Sequence, residues 1–114
     1  MKKLLLLAPV AALLGGCLTH PAPPPAPYRA LGTEPFWNLL IDERNLTFIQ
    51  PEAAPILQPT PALIHGVAGE IYQTPRINVN IVHAQCSDGM SDRVYPYKVQ
   101  VTVDGRRFDG CGGL

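Results

Sequence analysis

The sequence predicts an all-β domain: a small antiparallel barrel or barrel-like sheet of about six to eight short strands, with a two-sheet sandwich as the alternative. Three observations carry this. Apolar residues alternate with polar ones in runs such as Ile77-Asn78-Val79-Asn80-Ile81, the period of a half-buried strand. After the first 16 residues, no stretch keeps i, i+3, i+4 apolar spacing without a proline or glycine interrupting it. Turn chemistry punctuates the chain at Asp42–Asn45, Gly66–Gly69 and Asp104-Gly105. A closed or nearly closed barrel would also remove the exposed strand edges on which chains aggregate.

The chain has 114 residues, enough for one domain, and its beginning belongs to export rather than to that domain. Met1-Lys2-Lys3 is basic, Leu4 to Leu14 is apolar, and Gly15-Gly16 are small, so residues 1–16 read as a signal peptide too short for a permanent membrane span. Leu14-Gly15-Gly16-Cys17 resembles a bacterial lipobox. That resemblance implies cleavage before Cys17, diacylation of its sulfur and acylation of its new amino terminus. The lipid bilayer is then the first partner, because several acyl chains anchor durably where one would be marginal. Leu18 rather than Asp after the lipidated cysteine resembles outer-membrane sorting, with the domain facing the periplasm. Residues 17–27 form a tether: five of the chain's 13 prolines fall between Pro21 and Pro27, a run that favours polyproline II and excludes helix. A ligand for a proline-recognising domain is the alternative reading of that run.

The cysteine count agrees with this. Lipidation uses Cys17 and leaves Cys86 and Cys111 as a disulfide pair in an oxidising compartment. Closing a loop of about 25 residues stabilises a fold by roughly 3–4 kcal/mol in the chain-entropy model. The alternative, two free thiols for redox chemistry or metal, lacks C-x-x-C spacing. Removing Lys2 and Lys3 with the signal leaves seven basic against nine acidic side chains, a formal charge of −2, which argues against nucleic acid as a partner.

The domain itself is expected over 28–114. Leu31 to Phe36 leads into a strand in which Trp37, Leu39 and Ile41 share a face, which makes Trp37 a core residue, with ligand stacking as the alternative. Asp42–Asn45 is a turn and Leu46–Ile49 the returning strand. Gln50 to Ala62 holds Pro51, Pro55, Pro59 and Pro61, so it reads as a long surface loop that is neither central strand nor helix. Leu63–Gly66 and Gly69–Gln73 suggest two short strands around a glycine turn. Ile77–Ile81 and the alternating stretch after Tyr97 complete the sheet, the latter turning at Asp104-Gly105.

The stretch most like a site is Ser87-Asp88-Gly89-Met90-Ser91-Asp92-Arg93, directly after Cys86. Ser and Asp side chains bond nearby backbone N–H groups, and Gly89 can take positive φ. One reading is a self-satisfied loop in which Arg93 bridges Asp88 or Asp92. The other is a docking surface with Met90 exposed at its tip. The stretch lacks the D-x-[DN]-x-[DN]-G pattern and distal Glu of a calcium loop, so neither a metal nor a cofactor is expected. No catalytic set stands out: His20, His65 and His83 fall in the tether, at a turn edge and in a strand, with no Ser in a G-x-S-x-G setting. Glu34, Asp88 and Asp92 are the carboxylates an enzyme would have to gather.

Gly32-Thr33-Glu34-Pro35-Phe36-Trp37, followed by Cys86 to Asp92, Tyr95-Pro96 and Gly110-Cys111-Gly112, resembles a family of small uncharacterised bacterial envelope lipoproteins. Within it Gly32, Glu34, Pro35 and Trp37 form a candidate structural motif. An acylated cysteine, a small β domain and a late disulfide are similar, more loosely, to the membrane-bound inhibitors of c-type lysozyme. Those are eight-stranded barrels that insert a loop into the enzyme's cleft. The G-x-x-x-x-W opening is similar to lipocalins, although their spacing is G-x-W. The sequence thus points to a lipid-anchored periplasmic module of the cell envelope that binds an envelope protein and is not an enzyme. A hydrolase inhibitor or a small-ligand carrier are the alternatives. Cys17→Ser is expected to abolish lipid labelling and to leave the protein uncut or released from membranes. A normally processed variant in the membrane pellet would contradict the anchor.

Overall fold

The computed structural model describes residues 26–113; the signal peptide, Cys17 and the tether up to Pro25 lie outside the described residues. Eleven strands follow one another with no helix among the described residues: β1 (Tyr28–Thr33), β2 (Phe36–Ile41), β3 (Asn45–Ile49), β4 (Ile56–Pro59), β5 (Ile64–His65), β6 (Gly69–Gln73), β7 (Ile77–Val82), β8 (Cys86–Ser87), β9 (Val94–Tyr95), β10 (Tyr97–Val103) and β11 (Arg106–Gly112). Nine form one antiparallel sheet in the order β4-β3-β2-β1-β11-β10-β7-β6-β5, while β8 and β9 pair as a separate ribbon. The strands number eleven rather than six to eight because β8 and β9 are two-residue pieces, too short for alternation to reveal, and because the proline-rich segment contributes one.

That segment is a correction to the expected loop. Ile56 to Pro59 pairs with β3 from Phe48↔Ile56 to Asn45↔Pro59, at the sheet's edge. An edge strand tolerates a residue without an N–H at its end, so Pro59 shapes the strand instead of forbidding it. His83 lies in the bend after β7, not within a strand.

Connectivity curls the sheet. Its two edges, β4 and β5, are consecutive in the chain and joined by residues 60–63. Nine flat strands would set those edges roughly 38 Å apart at ~4.8 Å per strand. Four linking residues reach about 18 Å at most. The sheet therefore coils into a half-barrel, and the Arg76 N–H donating to Gln58 Oε1 across the opening (3.3 Å) agrees with this.

The turns form as their residues dictate. Asp104 (φ 49°) and Gly105 (φ 85°) close the two-residue β10–β11 hairpin, a geometry that needs positive φ at both positions. Asp42 Oδ1 accepts from the N–H groups of Arg44 and Asn45, each at 2.8 Å, and these donors hold its carboxyl below the usual range. Thr74 closes the β6–β7 turn, its hydroxyl bonded to both the carbonyl (2.7 Å) and the N–H (2.8 Å) of Ile77.

Inward faces carry an apolar core: Leu39 and Ile41, Leu46 and Phe48, Ile77, Val79 and Ile81, Val99 and Val101, and Phe108 are all buried. Phe48 stacks on Trp37 (5.9 Å between centroids) and meets Phe108 at 4.9 Å. Trp37, 1% exposed, lies across the seam where β1 meets β11, and this seam has only two residue pairs, Ala30↔Gly112 and Leu31↔Cys111. The indole occupies space that side chains at Gly32 and Gly110 would need. A Cβ on Gly32 would collide with Nε1 and stand 2.6 Å from Cε2, and one on Gly110 would collide with the Leu31 carbonyl of β1 and stand 2.7 Å from Cζ2. Trp37 Nε1 donates to the Asp109 carbonyl at 3.3 Å, so the buried N–H is satisfied.

Beyond the seam, Tyr28 and Tyr97 stand 6.2 Å apart, and Tyr97 meets the ring of His83, whose Nε2 lies 2.8 Å from Glu70 Oε1. Burial, reinforced by Tyr97, Glu70 and Tyr72, pushes the Tyr28 phenol well above the ordinary tyrosine range. Gly32→Ala and Gly110→Ala are each expected to lower stability by about 1–3 kcal/mol in urea unfolding, because overpacking displaces the indole at Gly32 and pushes β1 and β11 apart at Gly110. Wild-type stability in both would contradict the seating of Trp37.

Candidate functional site

Because side chains alternate across a strand, the neighbours of inward Gly110 point out of the barrel. Cys111 is one of them, so the Cys86–Cys111 disulfide fastens the loop between β7 and β10 to the outer face of the seam. The pairing matches the sequence expectation. Two further contacts hold the loop there: β8 pairs with β9 through Cys86↔Tyr95 and Ser87↔Val94, and Thr33 Oγ1 donates to the Asp88 carbonyl at 3.4 Å.

Asp88 organises the loop from within. Its Oδ1 accepts from the N–H groups of Met90 and Ser91, both at 2.9 Å, and its Oδ2 from the hydroxyls of Ser91 (3.0 Å) and Tyr95 (3.1 Å). Ser87 Oγ accepts the Gly89 N–H, Ser91 Oγ accepts the Arg93 N–H, and Gly89 takes φ 77°. The two backbone donors chiefly, with the two hydroxyls, pull the Asp88 carboxyl down to about 2. Tyr95, 4% exposed, is the loop's buried anchor, and desolvation, with donation to Asp88, raises its phenol.

The expected Arg93 bridge does not form. Asp88 has its oxygens filled by nearer donors, and the Arg93 guanidinium lies over the Tyr95 ring, 5.3 Å from its centroid. Met90 is exposed at 68%, as the docking reading requires, and Asp92 is exposed and makes no hydrogen bond among the described residues.

Between the loop and the outer face of the seam lies an open cleft of about 480 Å³. Gly32 and Thr33 from the end of β1 and Glu34 from the turn after it, with Ser87 and Asp88 from the loop, form one side; Lys98 and Gln100 of β10 and Arg107 and Asp109 of β11 line the rest. Of the three carboxylates singled out in the sequence, Glu34 and Asp88 share this cleft and Asp92 is not part of its lining. Asp88 is a fixed anion with its lone pairs engaged, a poor proton donor at neutral pH. Pro35 is exposed beside the cleft, following a cis Glu34–Pro35 bond, whereas Trp37 serves the core.

Lys98, Gln100, Arg107 and Asp109 were not singled out from sequence. The signal was present in alternation: they are the outward partners of Val99, Val101 and Phe108, and Lys98 stands opposite Cys111 in register. Arg107 and Asp109 pair with each other at 3.0 Å. The interior, where a carried ligand would lie, is occupied by the Trp37–Phe48–Phe108 stack.

No family model, curated protein or solved structure matches the chain.

The depressed Asp88 carboxyl fixes a pH dependence. Its folded value is below its ordinary 3.8, so its contribution is complete above that pH and is lost as pH falls through about 2. The Asp88 carboxyl resonance is expected to titrate near 2, with the Met90 and Ser91 amide shifts moving together with it. A midpoint at 3.8 would show that Asp88 does not hold the loop.

Proposed function

We propose that this chain is a lipid-anchored module of the bacterial cell envelope, facing the periplasm, that binds another envelope protein through the disulfide loop and the cleft beneath it, without catalysis. The observation that supports this most is a loop that is braced by many bonds but not buried. Four donors on one carboxylate, a disulfide and a buried tyrosine fix a segment whose tip, Met90, faces solvent. Ordering a polar loop costs conformational entropy, and fixing it in advance removes that cost from association. An exposed methionine on a preordered loop beside a cleft has the anatomy of an interface anchor with a polar rim. The tether expected over residues 17–27 would hold this surface off the lipid while keeping it at the membrane.

A narrower form has the loop entering the cleft of an envelope-attacking hydrolase, and an exposed tip on a loop stapled at Cys86 is what favours it. Photo-crosslinking in living cells separates the readings. A crosslinking residue at Met90 is expected to capture one discrete envelope protein, while the same group at Glu43, in the β2–β3 turn, captures none. Equal, diffuse capture at both positions would contradict a specific surface on this loop. Met90→Ala is expected to weaken binding of the captured partner at least tenfold with an unchanged melting temperature, since exposed positions carry little folding energy.

A further inference from the structure

One exposed stretch has a chemistry unsuited to water. Seven consecutive residues, Ala62 to Ala68, are exposed, running from the link after β4 through β5 into the turn before β6. Ala62, Leu63 and Ile64 are three apolar residues in a row, and Val67 at the tip of the turn is wholly exposed. Among the described residues, the other exposed runs of five or more are 51–55 and 89–94, and both carry charge, Glu52 in one and Asp92 and Arg93 in the other. This run has neither acid nor base apart from His65. Consecutive apolar exposure of that kind is avoided on a solvated surface unless it is used.

Much of the backbone here is already bonded. The Gly66 N–H donates to the Gly69 carbonyl at 2.7 Å, and the Ala68 carbonyl accepts the His83 N–H at 2.9 Å. Ile64 and His65 pair with Ile71 and Glu70 of β6. The nearest carboxylate, Glu70, faces His83 at 2.8 Å. The apolar side chains can therefore leave water without stranding these polar groups.

Sheet topology supplies the occupant. Neighbouring strands from β1 through β11, β10 and β7 to β6 are antiparallel, so β1 and β6 begin at the same end of the sheet. The tether expected over residues 17–27 enters at that end, at Tyr28. At about 3.1 Å per residue it would keep this end within roughly 34 Å of the lipid on Cys17. We propose that Ala62 to Ala68 docks on the anchoring bilayer, with Leu63, Ile64 and Val67 entering the boundary between headgroups and acyl chains. The docking rests on the lipid anchor of the proposed function. So short an apolar segment binds lipid weakly alone, but the anchor makes the encounter intramolecular. A protein partner would call for an aromatic, Met or Arg anchor, and the run has none. A second copy would find only the two residues of β5 to extend as an edge. Thr33, which holds the loop at the Asp88 carbonyl, is at the other end of β1, so docking leaves that part of the loop away from the lipid.

The test places the full-length lipidated chain in phosphatidylcholine nanodiscs whose acyl chains carry a spin label near the headgroup, and follows the amide signals. Those of Ile64 and Val67 are expected to be lost, because a docked segment sits about 5–10 Å into that boundary. Glu43, in a turn at the same end of the sheet, and Gly105, in the hairpin at the other end, keep theirs. Val67→Asp is expected to restore the Ile64 signal with an unchanged melting temperature, since a charge resists leaving water and an exposed position carries little folding energy. Equal broadening at Val67 and Glu43 would mean tethering without docking and would overturn the proposal. So would loss of the Ile64 signal that survives Val67→Asp, or broadening of the same signals by a spin-labelled second copy of the chain. The two readings fail separately. A chain whose mass shows no acyl groups on Cys17 loses the anchor and the docking with it, whereas a lipidated chain with Val67 and Glu43 alike keeps the anchor and loses the docking alone.

Discussion

The fold depends on the short seam between β1 and β11. The sheet is two runs of antiparallel strands, one ending in β1 and one in β11, and among the described residues they are joined by two residue pairs and the Gly113 N–H donating to the Arg29 carbonyl at 3.0 Å. So brief a ladder contributes little by itself. Its strength comes from what is clamped on either side. Inside, the Trp37 indole spans Gly32 and Gly110, stacks on Phe48 and donates to the Asp109 carbonyl. Outside, one residue further along β11, Cys111 holds Cys86. A residue step of one changes face, so adjacent positions serve the core and the surface loop respectively.

This coupling explains why a site sits where it does. The loop would be a floppy polar segment if it were attached only at its ends. The disulfide fixes its start over the seam, Tyr95 buries its finish, and Asp88 collects the donors between. The cleft is the space left between that frame and the outward side chains of β10 and β11. The outer face of the seam thus carries the proposed recognition surface while the opposite face is spent on the core.

Much of this was legible in the chain. Alternation gave the inward sets of β2 and β7, the dipeptide Asp104-Gly105 gave the hairpin, and cysteine arithmetic gave the disulfide. What alternation does not encode is partnership: nothing in Leu31 or Cys111 announces that they lie side by side, 80 residues apart in sequence, and the seam follows from three-dimensional packing. The prolines around Ile56–Pro59 masked an edge strand because proline forbids only interior pairing. Arg93 was expected at a carboxylate because opposite charges attract, but backbone N–H groups two and three residues from Asp88 reach it at lower entropic cost, and the guanidinium settles on Tyr95. The cleft floor lies in the outward side chains of β10 and β11, two strands legible only as an alternating stretch and its return.

Amide hydrogen exchange at Met90 and Ser91 tests the clamped seam most directly. Both N–H groups donate to Asp88 Oδ1 in a loop that is otherwise exposed, so their protection reports the frame alone. At neutral pH the oxidised protein is expected to protect both amides well above their unprotected rates, and reduction of Cys86–Cys111 to remove that protection while the amides of β7 and β10 stay slow. Exchange at unprotected rates in the oxidised protein, or protection that survives reduction, would contradict the dependence of the loop on the seam.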